Sequence, residues 1–152
     1  MKINDIFECT DGVFPEEALA LCQDCKAYIT ELEPEDGRRR FQIVTVPEPT
    51  EEEKTAALQA QYVVMVQAIL DNEAKAYGYD SILSVCSYVD TGVSKYDTEG
   101  KAFRQWRSEV WEKAFEMLEQ IKAGEVAMPT EEELKAYLPE LVIDYETKGY
   151  TI

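Results

Sequence analysis

The sequence has no histidine among its 152 residues. Histidine is the commonest general base and the commonest metal ligand in proteins, so its absence weakens any expectation of enzyme chemistry. The chain also has no nucleophile-elbow pattern and no phosphate-binding glycine loop. We therefore expect no catalytic, cofactor-binding or metal-binding residues, and we interpret the protein as non-enzymatic.

Positive charge is also scarce, because 15 lysines and arginines stand against 31 acidic residues and give a net charge of −16. Such a chain repels the phosphates of nucleic acids and anionic membranes. The longest apolar run, Tyr62–Val66, is too short to cross a bilayer. We expect a protein partner, with neither direct nucleic-acid binding nor membrane binding. The acidity is explained by solubility, by docking onto a basic protein, or by mimicry of nucleic acid.

The chain has four cysteines, and its first residues lack the basic start and apolar run of a signal peptide. Reduced thiols in a cytosolic setting are therefore expected. Cys22 and Cys25 form a C-x-x-C pair, which is typical of redox pairs or of half a zinc site. Because the pair lies late in a predicted short helix and histidine is lacking, structural thiols are the favoured interpretation.

Residues 1–49 are predicted to form a small α/β subdomain. Pro15 opens a short helix that places Ala18, Leu21, Cys22 and Cys25 on one face. The rigid segment Pro47–Pro49 marks the boundary to a helical domain over 50–152.

A β-hairpin is predicted within this subdomain, with strands over 27–33 and 38–46. A four-residue turn over 34–37 would set Glu33 opposite Arg38 and Glu31 opposite Arg40, which pairs opposite charges across the ladder. We expect Arg38, Arg39 and Arg40 to pair internally.

Two long helices are predicted to organise residues 50–152. A capping box over Thr50–Glu53 opens the first, which ends at Gly78. The second starts at Asp97 or Thr98 and runs to about Ala123. Helical spacing assigns these apolar residues to their buried stripes: Leu58, Tyr62, Met65, Ile69 and Ala76 on the first, and Phe103, Trp106, Val110, Ala114, Met117 and Ile121 on the second.

The connection between the two long helices is predicted as a short helix over 81–88, capped by Asp80, and a loop over 89–96. A second capping box over Thr130–Glu133 opens a short helix that ends before Pro139. The tail beyond it looks extended and apolar. The fold class is thus α+β and predominantly helical, with two antiparallel long helices, a short C-terminal helix and an extended tail.

Candidate partner-binding residues lie in three segments. The loop between the long helices supplies Tyr88, Val93 and Tyr96, and the tail supplies Val142, Ile143 and Tyr145. On the second long helix, Trp111 and Phe115 are i, i+4 neighbours beside the buried stripe. Aromatic and aliphatic side chains of this kind serve as anchors in protein interfaces.

The segment over residues 58–141 resembles a family of small proteins encoded beside tail genes in bacteriophages and prophages. The resemblance covers a little over half of the chain, and the first fifty residues add nothing to it. It rests on these residues: Gly78–Ser84, Cys86–Tyr88, Glu99–Phe103, Trp106-Arg107, Val110-Trp111, Ala123-Gly124, Met128–Thr130 and Leu138-Pro139.

The resemblance implies a tail-fibre assembly chaperone that binds a fibre protein in the host cytoplasm, and it brings no catalytic residues. A small structural component of the virion tail is the first alternative. An acidic inhibitor that mimics nucleic acid against a host defence protein is the second, motivated by the net charge of −16. Self-association into a homo-oligomer is compatible with each of these.

Overall fold

The computed structural model describes residues 1–9 and 12–145. Over these ranges the protein is α+β, with five helices and one three-stranded antiparallel sheet. The chain divides into two compact units, Met1–Thr50 and Glu51–Ile152, each described below by itself. Within the described ranges, no helix has the length and apolar character needed to cross a membrane.

The elements follow one another in a fixed order. Unit 1 contains β1 (Ile6–Glu8), α1 (Glu16–Cys22), β2 (Ala27–Glu35) and β3 (Arg38–Thr45), and unit 2 contains α2 (Glu51–Ala76), α3 (Ile82–Cys86), α4 (Ser94–Lys122) and α5 (Glu131–Tyr137).

Unit 1 is a sheet with the strand order β1-β3-β2, so β3 is central. The sequence interpretation missed β1, which is only three residues long. The rings of Phe7, Phe14 and Phe41 pack together at centroid distances of 5.0–6.1 Å. With Ala18, Ala27 and Ile43 they form the core of the unit.

The hairpin register differs from the predicted one. Asp36 and Gly37 have φ values of 51° and 77°, which is the left-handed conformation of a two-residue type I′ turn. The shorter turn sets Glu35 opposite Arg38 and Leu32 opposite Arg40, with a bulge between Leu32 and Glu35. The predicted pairs Glu33 with Arg38 and Glu31 with Arg40 are therefore wrong.

The three arginines of β3 nevertheless pair within unit 1, as predicted. Arg38 contacts Glu8 at 3.1 Å, Arg39 contacts Glu31 at 2.7 Å, and Arg40 contacts Glu35.

The prediction of the short helix in unit 1 needs one correction, because α1 ends at Cys22. Cys25 lies beyond the helix at φ 60°, in the turn that leads into β2, so it does not share the helix face with Cys22.

In unit 2 the buried face of α2 is shifted from the predicted stripe. Tyr62 and Ile69 are buried as expected, but Val66, Leu70 and Ala74 complete the face. Leu58 and Ala76 are exposed, and Met65 packs only partly against the core. No side chain of α2 before Tyr62 is buried, so the first third of the helix contributes nothing to this core.

The stripe of α4 matches the prediction closely. Phe103, Trp106, Val110, Ala114 and Ile121 are buried, while Leu118 takes the buried place expected for Met117. The end of α2 lies beside the first turns of α4, since the rings of Tyr77 and Phe103 are 5.3 Å apart.

Helix α4 begins at Ser94, earlier than predicted, so Tyr96 lies on the helix and not in a loop. Gly100 lies inside this helix. A Cβ atom added there would lie 3.0 Å from the Val85 carbonyl oxygen and 3.1 Å from the Val89 nitrogen. The glycine is required because α3 and the segment after it approach the backbone of α4 closely.

The caps of the short helices show where sequence reasoning was right and wrong. Thr130 and Glu133 form the predicted capping box at α5. At α3 the N-cap is Ser81, which accepts a hydrogen bond from the Ser84 nitrogen, and not Asp80. The carboxylate of Asp71 in α2 also accepts a hydrogen bond near this end of α3, from the Ile82 nitrogen at 2.9 Å.

The segment after α5 is neither helix nor strand over residues 138–145. The indole Nε1 of Trp106 donates a hydrogen bond to the Pro139 carbonyl oxygen at 2.7 Å, and Leu141 and Ile143 pack against the core. The predicted extended tail thus lies against unit 2 as far as it is described. The predicted continuation over Gly149–Ile152 falls outside the described residues.

Candidate partner-binding surfaces

A buried carboxylate organises the first turns of α4. Glu99 is only 2 % exposed. The Tyr79 hydroxyl donates to its Oε2 atom, and the Tyr145 hydroxyl donates to its Oε1 atom at 2.7 Å. Lys95 lies 4.0 Å from the same carboxylate. Burial, followed by the hydrogen bond to Glu99, raises the pKa of both the Tyr79 and the Tyr145 hydroxyls.

The two tyrosines that donate to this carboxylate and the two that pack on the ring of Tyr79 form what we call the tyrosine cluster: Tyr79, Tyr88, Tyr96 and Tyr145. The ring centroids of Tyr79 and Tyr88 are 5.5 Å apart, and those of Tyr88 and Tyr96 are 5.3 Å apart. The structure therefore brings together three of the predicted binding residues, Tyr88, Tyr96 and Tyr145.

Part of the cluster faces solvent. Tyr88 and Tyr96 are exposed, and Val93, which lies between them in sequence, is 53 % exposed. We call these three residues the tyrosine surface. The ring of Tyr79 contacts the rings of Tyr88 and Tyr96, and its hydroxyl is bonded to Glu99. The sequence interpretation missed both Tyr79 and Glu99. The signal for Glu99 was present, since it continues the buried stripe of Phe103 and Trp106 at helical spacing.

A second aromatic group lies farther along α4. The rings of Trp111 and Phe115 are 5.5 Å apart and inclined by 30°. Trp111 packs partly against the core, whereas Phe115 is 51 % exposed. Tyr96 and Trp111 are about 22 Å apart along the helix axis at 1.5 Å per residue, so the two aromatic groups are separate surfaces.

Two arginines lie beside this second group. Arg104 is exposed and Arg107 is partly buried, and neither has an ion pair within residues 1–9 and 12–145. The Nε atom of Arg107 is buried and has no hydrogen-bond partner in the described part of the chain. Burial raises the pKa of the nearby Cys86 thiol, although Arg107 and Arg104 both oppose this effect.

The tail residues differ in what they offer a partner. Val142 is 80 % exposed. Ile143 packs on the core, and Tyr145 is held by Glu99. Of the three predicted tail residues, only Val142 presents most of its side chain to solvent.

A cleft of about 550 Å³ lies beside Trp106 and the tail. Its apolar lining includes Ile69, Leu138 and Leu141, and its charged lining consists of Glu73, Glu140 and Lys135.

The cysteines form no centre in the parts of the chain that the structure describes. All four are free thiols; Cys9 is buried and Cys25 is exposed. Over the same ranges, no group of three acidic or cysteine side chains is placed to hold a metal ion.

Comparison with known proteins finds no relative. No protein-family model matches the chain, and neither a curated protein nor a solved structure matches it significantly. The resemblance to phage tail-associated proteins stays a prediction from the sequence.

Proposed function

We propose that this protein is a non-enzymatic binding protein of bacteriophages or prophages that acts as a tail-fibre assembly chaperone. The observation that carries the binding role is the tyrosine surface. Tyr88, Val93 and Tyr96 are exposed together at the connection between α3 and α4. Tyrosine is enriched in protein interfaces because its ring buries a large apolar area while its hydroxyl keeps a hydrogen bond.

The support beneath this surface favours binding. Tyr79 touches the rings of both Tyr88 and Tyr96, and its hydroxyl is bonded to the buried Glu99. Side chains that are already held in place lose less conformational entropy when a partner binds. A preorganised aromatic surface can therefore bind an apolar partner segment more tightly than mobile side chains could.

The phage assignment rests on the sequence resemblance over residues 58–141. A chaperone of this kind would cover the apolar end of a trimeric fibre protein in the host cytoplasm until the trimer forms. The net charge of −16 would keep the complex soluble. Such a role needs a binding surface and no catalytic group.

Co-expression with the fibre gene adjacent to this one tests the proposal. We expect the protein to raise the yield of soluble fibre trimer, and Tyr88→Ser/Tyr96→Ser to abolish the gain. The matched control is Val64→Ser, since Val64 is an exposed residue of α2 outside the tyrosine surface. Circular dichroism checks that each variant is folded. A fibre that trimerises equally well without this protein would refute the chaperone role.

The composition of purified virions separates the chaperone from the structural alternative. A chaperone leaves before the particle is complete, so mass spectrometry should not detect it in virions at stoichiometric amounts. Stoichiometric retention would make the protein a tail component instead.

A further inference from the structure

The two arginines of α4 are exceptional among the cations of that helix. Each lysine of α4 lies within 4.0 Å of a carboxylate: Lys95 with Glu99, Lys101 with Asp97, Lys113 with Glu116 and Lys122 with Glu119. Arg104 and Arg107 have no such contact in the described ranges, although the chain carries 31 acidic residues. Two guanidinium groups without an ion pair in the described part of so acidic a protein are free to bind carboxylates of a partner.

The arginines are continuous with an apolar surface. Arg104, Arg107, Trp111 and Phe115 follow one another at spacings of three and four, so they share one side of α4, which we call the arginine–aromatic face. The Nε atom of Arg107 is buried without a partner, and Phe115 is half exposed. A complementary segment must offer carboxylates at one end and an apolar side chain at the other.

The start of α2 has this chemistry. The core-facing stripe of α2 continues from the buried Tyr62 back to the first turn of the helix. It passes through Leu58, Thr55 and Glu51, at spacings of four, three and four. Over 51–61, every residue is exposed or only partly covered. Within the described residues, the one ion pair of the Glu51 carboxylate is with the exposed Lys54, at 2.8 Å, and a surface pair of this kind contributes little to stability.

We infer that the arginine–aromatic face of one copy of this protein binds the start of α2 in a second copy. The two segments match in length, since each spans about 16 Å at 1.5 Å per residue. With the helices side by side and parallel, Glu51 and Glu52 meet Arg104 and Arg107, and Leu58 meets Trp111 and Phe115. A two-fold axis forms this contact twice, so the dimer is closed.

Sedimentation equilibrium of the full chain over a range of concentrations tests the inference. The unaltered protein should be in monomer–dimer equilibrium. Arg104→Glu/Arg107→Glu and Glu51→Arg/Glu52→Arg should each raise the dimer dissociation constant at least about tenfold, because like charges then face each other. A protein that is monomeric at every concentration would overturn the inference, as would a dimer that neither variant weakens.

Mixing the two charge-reversal variants gives the sharpest result. Each then supplies the charge that the other now needs, in both copies of the contact, so dimers should reappear in the mixture. Failure of the mixture to dimerise would refute the pairing of these two segments. The matched control is Lys75→Glu/Lys113→Glu, which changes the net charge as much as the arginine variant does and should leave the dissociation constant unchanged.

Folding of each variant is checked by tryptophan fluorescence, because Trp106 and Trp111 both lie in unit 2. If a charge reversal prevents folding, the milder Arg104→Gln/Arg107→Gln replaces it. That variant should still weaken the dimer severalfold, and an unchanged dissociation constant would contradict the inference.

Discussion

The two parts of α4 treat charge in opposite ways. In the first turns, Glu99 is buried and both of its carboxylate oxygens accept hydrogen bonds from tyrosines of the same unit. About one to two turns later, at 3.6 residues per turn, Arg104 and Arg107 have no ion pair with a carboxylate of the described chain. The comparison teaches that one helix can satisfy a buried charge with hydrogen bonds at one end and, within the described part of the chain, leave charged groups without an ion pair farther along.

Removal of the Glu99 carboxylate should have the largest effect on stability. Glu99→Ala leaves the hydroxyls of Tyr79 and Tyr145 without their acceptor, so we expect the free energy of unfolding to fall by about 3 kcal/mol. Urea denaturation followed by tryptophan fluorescence measures it in unit 2. A loss below about 0.5 kcal/mol would mean that the carboxylate is not part of the internal structure.

Gly100→Ala should have the next largest effect. The new methyl group would lie 3.0 Å from the Val85 carbonyl oxygen, and the backbone of α3 would have to move. Crowding of this kind costs about 1–3 kcal/mol, and the better helix propensity of alanine recovers up to about 1 kcal/mol of it. Gln120→Ala, at an exposed residue of the same helix, serves as the control. A stabilised Gly100→Ala variant would show that α3 does not press on α4.

Tyr145→Phe should lower the free energy of unfolding by about 1 kcal/mol, since one hydrogen bond to Glu99 is lost while the ring remains.

The stability of unit 2 should also depend on pH, because the pKa values of Tyr79 and Tyr145 are raised. Their neutral forms are favoured in the folded state, so this stability is fully present below the ordinary value of 10.0 and is lost as the pH rises above it.

Urea titrations between pH 7 and pH 11 should therefore show unit 2 weakening further above about pH 10, where Tyr62, whose pKa burial raises to about 12, adds to the loss. The Cys86 thiol, whose pKa burial also raises, contributes above its ordinary value of 9.0. The alkaline loss should be smaller in Tyr145→Phe, because one of the three tyrosines with a raised pKa no longer titrates. An equal loss in both proteins would place the titrating group elsewhere.

Arg107→Gln should have the smallest effect on the stability of the monomer. No ion pair within the described residues is broken, so we expect the free energy of unfolding to stay within about 0.5 kcal/mol of the unaltered value. Urea denaturation measures this effect on the monomer alone when the protein concentration is below the dimer dissociation constant. A loss as large as that of Glu99→Ala would show that the arginine also serves the internal structure, and the contrast along α4 would fail.

Much of the helical structure could be predicted from the sequence, because its signals are local. The stripe of α4 follows helical periodicity, and the capping box at Thr130 needs only residues within one turn. The hairpin itself was predicted, but its register was not. Asp36-Gly37 was interpreted as half of a four-residue turn, whereas left-handed φ values at both positions close the strands over two residues.

The candidate surfaces were found only in part. Trp111 and Phe115 are neighbours by helix geometry, so their ring contact followed from spacing alone. The tyrosine cluster did not, because Glu99 receives its hydrogen bonds from residues 20 and 46 positions away. The hydrogen bond of Asp71 could not be predicted for the same reason, since the nitrogen that it caps lies 11 positions farther along the chain.

By itself, then, the sequence determined the elements whose causes act within a few residues: the helix stripes, the box at α5 and the strands of the hairpin. The tertiary structure alone decided which charges are used internally. Helical spacing places Glu99 on the buried stripe of α4 and Arg104 beside it, but spacing does not tell which groups either residue meets. Tyr79 and Tyr145 are brought to the first by folding, and no described carboxylate is brought to the second. The physical reason is that the hydrogen bonds and ion pairs of a charged group depend on its neighbours in space, and these neighbours are set by tertiary packing.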